Sequence, residues 1–189
     1  MQTEDLKLLL DELNEGLPEI RQSPKDNGIL KAIVVRTEEN QRISPTQCHL
    51  SPELGLEDDQ WAQGSWLSLP DGSPHPEVQV TIMNARAIAL IAQQERRWSL
   101  AGDNLYLDLD FSRENLPCGQ RLSIGSVGLE VTDRTHTGCN KFAKRFGKDA
   151  MKFVNSPEGR RLNLRGIYAK IVQAGNVKVG DKVRKQASE

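Results

Sequence analysis

The position of one cysteine in the sequence predicts a reactive thiol. This residue is Cys139, and it lies within residues 129–154. The segment opens with residues of strand character, is interrupted at residues 135–138, and continues as a predicted helix that begins near Asn140. One face of that helix is apolar, with Phe142, Phe146, Ala150 and Phe153, and another is basic, with Lys141, Lys144, Arg145, Lys148 and Lys152. The spacing therefore places a thiol at the start of a basic amphipathic helix.

This placement favours the ionised form of the thiol. The positive end of the helix dipole and the unpaired N–H groups of the first turn both stabilise an anion. A thiolate is the form of cysteine that ligates a soft metal or attacks sulfur. Cysteine is also among the most often buried residue types. The alternative is therefore that Cys139 is a small buried residue beside a solvated basic helix face.

Positive charge is concentrated near the cysteine, although the chain as a whole carries a net charge of −1. Residues 134–165 contain nine bases and two acids, whereas residues 1–28 contain seven acids and three bases. The basic segment favours an anionic ligand, the alternative being a merely charged surface. The concentration is too local to indicate general nucleic-acid binding.

The composition of the chain excludes some classes of protein and indicates the cellular compartment. No apolar run in the 189 residues approaches the roughly 20 that a membrane span needs. The N-terminus lacks the basic region and cleavage site of a secretory signal. The three cysteines, Cys48, Cys118 and Cys139, are far apart, which favours reduced thiols over a disulfide framework or a structural zinc site. We therefore expect a cytoplasmic protein without membrane association.

The rest of the chain predicts the elements that position the thiol. Strands are predicted at residues 29–36, 78–83 and 121–132, with two more within 164–183, a helix is predicted at 85–97, and residues 100–109 are predicted as a loop that leads into a strand. The strand pair at 121–132 is a hairpin that turns at Gly125-Ser126. Seven or so short strands separated by glycine turns favour a mostly β fold, a small β-barrel with flanking helices.

An N-terminal helix is predicted to precede the barrel. Thr3 can cap a helix over residues 4–15, whose apolar stripe consists of Leu6, Leu9, Leu10 and Leu13. That stripe must be buried against the main domain or against a partner, so a homodimer is one possibility. Residues 17–28 contain two prolines and are interpreted as a linker. The predicted division is residues 1–28 for the helix and linker and 29–189 for the barrel domain.

Several segments together resemble a MOSC domain, the module related to the C-terminal part of molybdenum cofactor sulfurases. The matching segments are residues 79–92, 101–147 and 165–183. The loop Gly102-Asp103-Asn104, the cysteine turn and a closing glycine hairpin follow in the family's order. Residues 55–61 resemble a degraded GL-x-GD-R segment, with Glu57-Asp58-Asp59 where a glycine and a base are expected. The resemblance covers most of residues 29–185 and implies a β-barrel core.

The resemblance also implies a function. In relatives that reduce N-hydroxylated or N-oxygenated small molecules, the cysteine at the position of Cys139 ligates molybdenum in a pyranopterin cofactor. A reductase of this kind would need a separate electron-donor protein, because no iron–sulfur or flavin module is evident in the sequence. In other relatives a persulfide carrier role has been proposed, so a second interpretation is a non-redox protein that carries sulfur or the cofactor on Cys139. A third interpretation is a barrel that retains only the scaffold and serves as an interaction module.

The candidate site residues follow from these interpretations. Cys139 is the metal ligand, and His136 could tune its thiolate or hydrogen-bond to the substrate. Asp103 and Asn104 could contact a substrate or cofactor amide edge. Arginine donates bidentate hydrogen bonds to oxyanions, so the candidates for a phosphate or pterin clamp are Lys141, Arg160, Arg161 and Arg165. A structural or surface role is the alternative for each residue other than Cys139.

Overall fold

The elements of the fold are taken from a computed structural model, which describes residues 7–187. The strands are β1 (Gly28–Ile33), β2 (Val35–Glu38), β3 (Gln41–Ile43), β4 (Gln47–Ser51), β5 (Gly55–Leu56), β6 (Val80–Asn84), β7 (Leu105–Asp108), β8 (Arg121–Ile124), β9 (Val127–Val131), β10 (Ile167–Gln173), β11 (Gly175–Lys178) and β12 (Lys182–Lys185). The α-helices are α1 (Leu10–Glu15), α2 (Leu17–Arg21), α3 (Ala85–Ala92), α4 (Asn140–Phe146), α5 (Lys148–Asn155) and α6 (Pro157–Arg161). Short 3₁₀ helices lie at Gln60–Gln63, Pro76–Val78 and Glu95–Ala101.

A closed barrel forms the centre of the fold. Its strand order is β1-β12-β8-β9-β10-β6-β7, and β7 pairs with β1 to close it. Of its pairs only β6 and β7 run parallel. A three-stranded sheet, β11-β4-β5, and the β2–β3 hairpin lie outside the barrel. The predicted mostly β fold, a small barrel with flanking helices and a preceding helix, is confirmed.

The alternation of side chains along β6 explains how the barrel carries a helical layer. Every residue of this strand is buried. Val80 and Ile82 belong to the core inside the barrel, whereas Met83 belongs to a second core beneath the helices. Because successive side chains of a strand point to opposite faces, a strand that is apolar on both faces must be covered on both. Helix α3 follows β6 directly and supplies Ile88 to the second core.

The N-terminal segment packs onto this second core. Helix α1 begins at Leu10, and the predicted cap and first residues of the helix lie outside the described residues. Leu13 is buried in the core that contains Phe146 and Phe153, and Leu10 packs against that core, so these two residues of the predicted stripe face the domain, whereas Leu9 is exposed. Residues 17–21, which were interpreted as part of a linker, instead form α2, because Pro18 in its first turn has the backbone angle that a helix start requires.

Two other predicted elements end earlier than expected. The helix over residues 85–97 stops at Ala92, where Gln93 adopts a left-handed φ of 61°, and the chain continues as a 3₁₀ helix. The predicted strand over residues 29–36 is two strands, β1 and β2, separated at Val34, whose N–H donates to the carbonyl of Asn104 at 2.7 Å. Residues 164–183 hold two complete strands and the start of a third.

The packing of α1 generates a prediction about stability. The side chain of Leu13 is 1% exposed, whereas that of Leu9 is 65% exposed. Replacing Leu13 with alanine is expected to lower the free energy of unfolding by about 2–5 kcal/mol, because it leaves a cavity in the core. The matched change Leu9→Ala should alter it by less than about 0.5 kcal/mol. Chemical denaturation followed by circular dichroism measures both, and equal losses would contradict the packing described here.

Candidate functional site

A cavity of about 360 Å³ lies beside Cys139. Its walls come from the β2–β3 hairpin, the segment around Gln60–Gln63, the loop before β7, the loop after β9 and the first turn of α4. Five cations line it, and Glu39 is the acid among the lining residues. The cations are Arg36, Arg42, Lys141, Arg145 and Arg165. The cavity is therefore electropositive and suits an anionic ligand.

Cys139 lies at the edge of this cavity and is exposed. It immediately precedes α4, which begins at Asn140 as predicted. Partial burial opposes ionisation, but the backbone N–H groups of Phe142 and Lys141 and the charge of Arg165 outweigh it, so the pKa of Cys139 lies below that of an ordinary thiol. The thiol is thus both reachable and biased toward the thiolate.

The other two cysteines have different environments. Cys48 lies on β4 and is buried in the core cluster shared with the barrel strands, and burial raises the pKa of its thiol to about 11. Cys118 is exposed and lines a separate cavity of about 330 Å³. Burial and the nearby charges of Asp133 and Glu130 raise the pKa of Cys118. Of the three, Cys139 alone combines exposure with a lowered pKa.

The cavity rests on a buried ion pair between Asp103 and Arg165. Asp103 is fully buried, and Arg165 Nη1 donates to its Oδ2 at 2.6 Å. Burial raises the pKa of Asp103, and the guanidinium opposes that rise. Arg165 also donates to the carbonyl of Ala101 at 3.0 Å and lies over the ring of Phe142, 5.0 Å from its centroid. Two predicted site residues are therefore joined beneath the cavity.

His136 lies next to this pair. Its side chain is 11% exposed, and Nδ1 is 3.6 Å from Asp103 Oδ1. This separation is too long for a hydrogen bond, and both atoms are buried without a hydrogen-bond partner among the described residues. Burial, followed by the charges of Arg165 and Arg36, holds the pKa of His136 well below its usual value. The imidazole is therefore neutral at pH 7.

Aromatic rings connect His136 to the mouth of the cavity. Its ring packs against Tyr168, with centroids 4.6 Å apart. Tyr168 in turn packs against Trp66, with centroids 6.3 Å apart. Trp66 is 69% exposed and lines the cavity. Part of the lining is thus aromatic and part consists of arginines, so the cavity offers both stacking surfaces and charged donors.

Asn104 is buried and supports the cavity without lining it. Its amide nitrogen donates to Asp59 Oδ2 at 3.0 Å, and its amide oxygen accepts from Arg36 at 3.1 Å. Asp59 also accepts two hydrogen bonds from the guanidinium of Arg36, at 2.8 and 3.0 Å. Asp59 belongs to the acidic run Glu57-Asp58-Asp59, which departs from the family's usual segment. This run therefore supplies the carboxylate that holds Arg36 in the cavity wall.

The remaining predicted residues are not brought together. Lys141 lines the cavity, but Arg160 and Arg161 lie on α6 and are not among the lining residues. Arg161 pairs with Glu158 and Glu114 on the surface, and Arg160 donates to the carbonyl of Asn155. Sequence reasoning missed Arg36 and Arg42 as site residues. Arg36 could have been identified as a site residue from its position at the end of a strongly predicted strand. No local feature of the sequence distinguishes Arg42.

The protein groups do not form a chelating site by themselves. Residues 7–187 contain no group of three or more histidine, cysteine or acidic side chains that could hold a metal ion. A metal at Cys139 would therefore need its other ligands from a cofactor.

Within residues 7–187, no helix has the length and apolar character needed to cross a membrane.

Fold and site together define a class of protein, a closed barrel with an exposed cysteine in a cationic cavity. The chain belongs to the family described as "MOSC domain", whose family model matches residues 70–184, more than half of the chain. A search of curated proteins found no match.

Solved structures with the same fold agree with this assignment. The chain is 16% identical to the YuaD protein from Bacillus subtilis, with a TM-score of 0.57, covering 86% of this chain and 97% of that one. It is 14% identical to YiiM from Escherichia coli, with a TM-score of 0.53, covering 84% and 70%. A hypothetical protein is 15% identical, with a TM-score of 0.57 and coverage of 85% and 68%. At these identities the likeness shows the fold alone.

The environments of the exposed cysteines generate a prediction about reactivity. The rate of alkylation follows the thiolate fraction, so at pH 7 Cys139 is expected to react with iodoacetamide faster than Cys118. Its rate should reach a plateau at a lower pH, because its pKa is lowered and that of Cys118 is raised. Peptide mass spectrometry over a pH series measures each site, with buried Cys48 as the control that reacts only after unfolding. Coincident pH profiles for the two exposed sites would refute the assignment.

Proposed function

We propose that this protein binds a molybdenum–pyranopterin cofactor through Cys139 and reduces N-hydroxylated or N-oxygenated small molecules. The observation that carries the proposal is the exposed, acidified thiol of Cys139 at the edge of an electropositive cavity. Membership of the MOSC family supports it. Because the proposal needs a reduced thiol, we also expect the protein to work in the cytoplasm.

The donor set and the cavity fit such a cofactor. A thiolate is a ligand that soft metals prefer, and one protein ligand suffices where the cofactor supplies the others. The cavity, at about 360 Å³, falls within the ordinary range of ligand pockets, about 300–1,000 Å³. Its excess of cations suits a phosphate-bearing molecule. The cofactor, when bound, would supply the two-electron redox chemistry.

The chain's own residues would bind and orient the reactants. Reduction of a hydroxylamine breaks the N–O bond and consumes two electrons and two protons, giving an amine and water. A separate electron-donor protein would supply the electrons. His136 is neutral in the cavity wall and can hydrogen-bond to the substrate's hydroxyl group. The ion pair of Asp103 and Arg165 holds the cavity floor, and Lys141 at the rim adds a positive charge.

A second candidate function is a sulfur carrier. The same lowered pKa of Cys139 would favour a persulfide, because the thiolate can attack the outer sulfur of a donor persulfide, forming a new S–S bond as the donor's S–S bond breaks and its thiolate leaves. This function needs no metal. A scaffold without chemistry is less well supported, because it gives no reason for an acidified thiol in an open cavity.

Metal analysis of two cysteine variants separates these functions. Wild-type protein purified from a host that makes the cofactor is expected to contain molybdenum and to reduce a hydroxylamine with a chemical electron donor. The Cys139→Ala variant should lose both, because the metal loses its protein ligand, whereas Cys118→Ala should keep both. Molybdenum is measured by mass spectrometry of the digested protein. Wild type without molybdenum but with one added sulfur on Cys139 would establish the carrier instead.

A further inference from the structure

The positive charges of the cavity fall into two groups. Arg36 is paired with Asp59, and Arg165 is paired with Asp103, so these two charges are largely neutralised. The other three cations make no ion pair with any described residue. They are Arg42, Lys141 and Arg145. The cavity's uncompensated charge therefore resides on Lys141, which the sequence indicated as a clamp residue, and on Arg42 and Arg145, which it did not.

Arg42 and Arg145 lie side by side around Gly102. A Cβ atom added to this glycine would be 3.6 Å from Arg42 Nη2 and 3.8 Å from Arg145 Nη1. Gly102 also has a φ of 85°, in the left-handed region that side chains rarely adopt. The glycine therefore leaves the space between two guanidinium groups free of any side chain of its own.

The hydrogen bonds of these two arginines leave donors unused. Arg145 donates to the carbonyl of Leu100 at 2.7 Å and to Asn40 Oδ1 at 3.5 Å, both neutral acceptors. Arg42 Nε is buried and has no hydrogen-bond partner among the described residues. A buried donor without a partner costs free energy, and two adjacent like charges repel each other. A bound anion would relieve both costs.

The electrostatics of Arg42 agree with that interpretation. Burial lowers the pKa of Arg42, and the charges of Arg145 and Arg36 lower it further. Burial and like charges both disfavour the charged form of a base. Glu39 lines the cavity but makes no ion pair within residues 7–187. The protein thus holds two guanidinium groups together without supplying their counter-charge.

We propose that Arg42 and Arg145 form an oxyanion subsite for a phosphate monoester group. Two planar guanidinium forks match the several acceptor oxygens of a phosphate. A phosphate monoester carries close to two negative charges at pH 7, which balances two arginines better than a singly charged carboxylate does. Arg165, which the sequence indicated as a clamp, already uses Nη1 and Nη2 on Asp103 and Ala101.

The subsite shares the cavity of the proposed function but does not require a metal on Cys139. The phosphate has two possible carriers, a bound cofactor or a phosphorylated substrate, and the recognition chemistry is the same for both. Binding is therefore tested first on metal-free, full-length Cys139→Ser protein, with inorganic phosphate as the probe. Failure of molybdenum binding would leave this test unaffected, and failure of this test would leave the metal analysis unaffected.

Calorimetric titration of phosphate at low ionic strength measures the subsite. Arg42→Gln and Arg145→Gln are each expected to weaken binding about ten- to a hundredfold, because each removes charged hydrogen bonds. Arg96→Gln is the matched control, since Arg96 is exposed and does not line the cavity, and it should bind like the parent. Raising the salt concentration should weaken binding in the parent.

Unchanged phosphate affinity in both cavity variants, or no phosphate binding by the metal-free protein, would overturn the proposal. Thermal melts show whether each variant folds. If a glutamine variant unfolds, Arg42→Lys and Arg145→Lys take its place, and they should give a smaller but measurable loss because the charge remains and the fork is removed. Titration of the cofactor-loaded wild type identifies the carrier. If the cofactor's phosphate fills the subsite, the loaded protein fails to bind added phosphate. If the subsite serves a phosphorylated substrate, the loaded protein still binds it.

Discussion

The buried ion pair between Asp103 and Arg165 is the interaction on which the site depends. A fully buried carboxylate is tolerated only when it is paired, and removing one partner of such a pair costs about 3–5 kcal/mol. The pair joins the loop before β7 to the segment before β10, so two parts of the chain that are 62 residues apart meet under the cavity. Because Arg165 also lies over Phe142 in α4, the same charge positions the helix that presents Cys139.

Asp59 acts in the same way on the other side of the cavity. Its carboxylate accepts hydrogen bonds from Arg36 and from Asn104, so one buried acid holds both an arginine of the wall and the loop next to Asp103. Each buried acid neutralises one arginine. The positive potential of the cavity must therefore come from the cations that remain unpaired within the described residues, and charge count alone is a poor guide to which arginines meet a ligand.

The sequence predicted those features that depend on local pattern. The start of α4 at Asn140 follows from helical periodicity, and the β8–β9 hairpin follows from its glycine turn. The site itself depends on contacts between distant residues: Arg36 meets Asp59 across 23 positions, and Arg145 meets Asn40 across 105. Local charge density pointed instead to Arg160 and Arg161, which α6 carries away from the cavity. Asp59 departs from the family pattern in residue type, and its role could not be predicted locally because its partner Arg36 lies on β2.

The residues of the cavity contribute to ligand binding in different ways, because one thiolate supplies only one ligand atom. In the proposed function Cys139 gives the metal a single ligand, and residues 7–187 contain no group of three or more histidine, cysteine or acidic side chains that could hold a metal ion. That function therefore takes its affinity from the remainder of a larger ligand, through stacking and charge. The aromatic rings of His136, Tyr168 and Trp66 offer stacking surfaces. The arginines that are unpaired within residues 7–187 offer positive charge. A ligand that used the thiol, the rings and the arginines of this cavity together would be extended, planar in part and anionic.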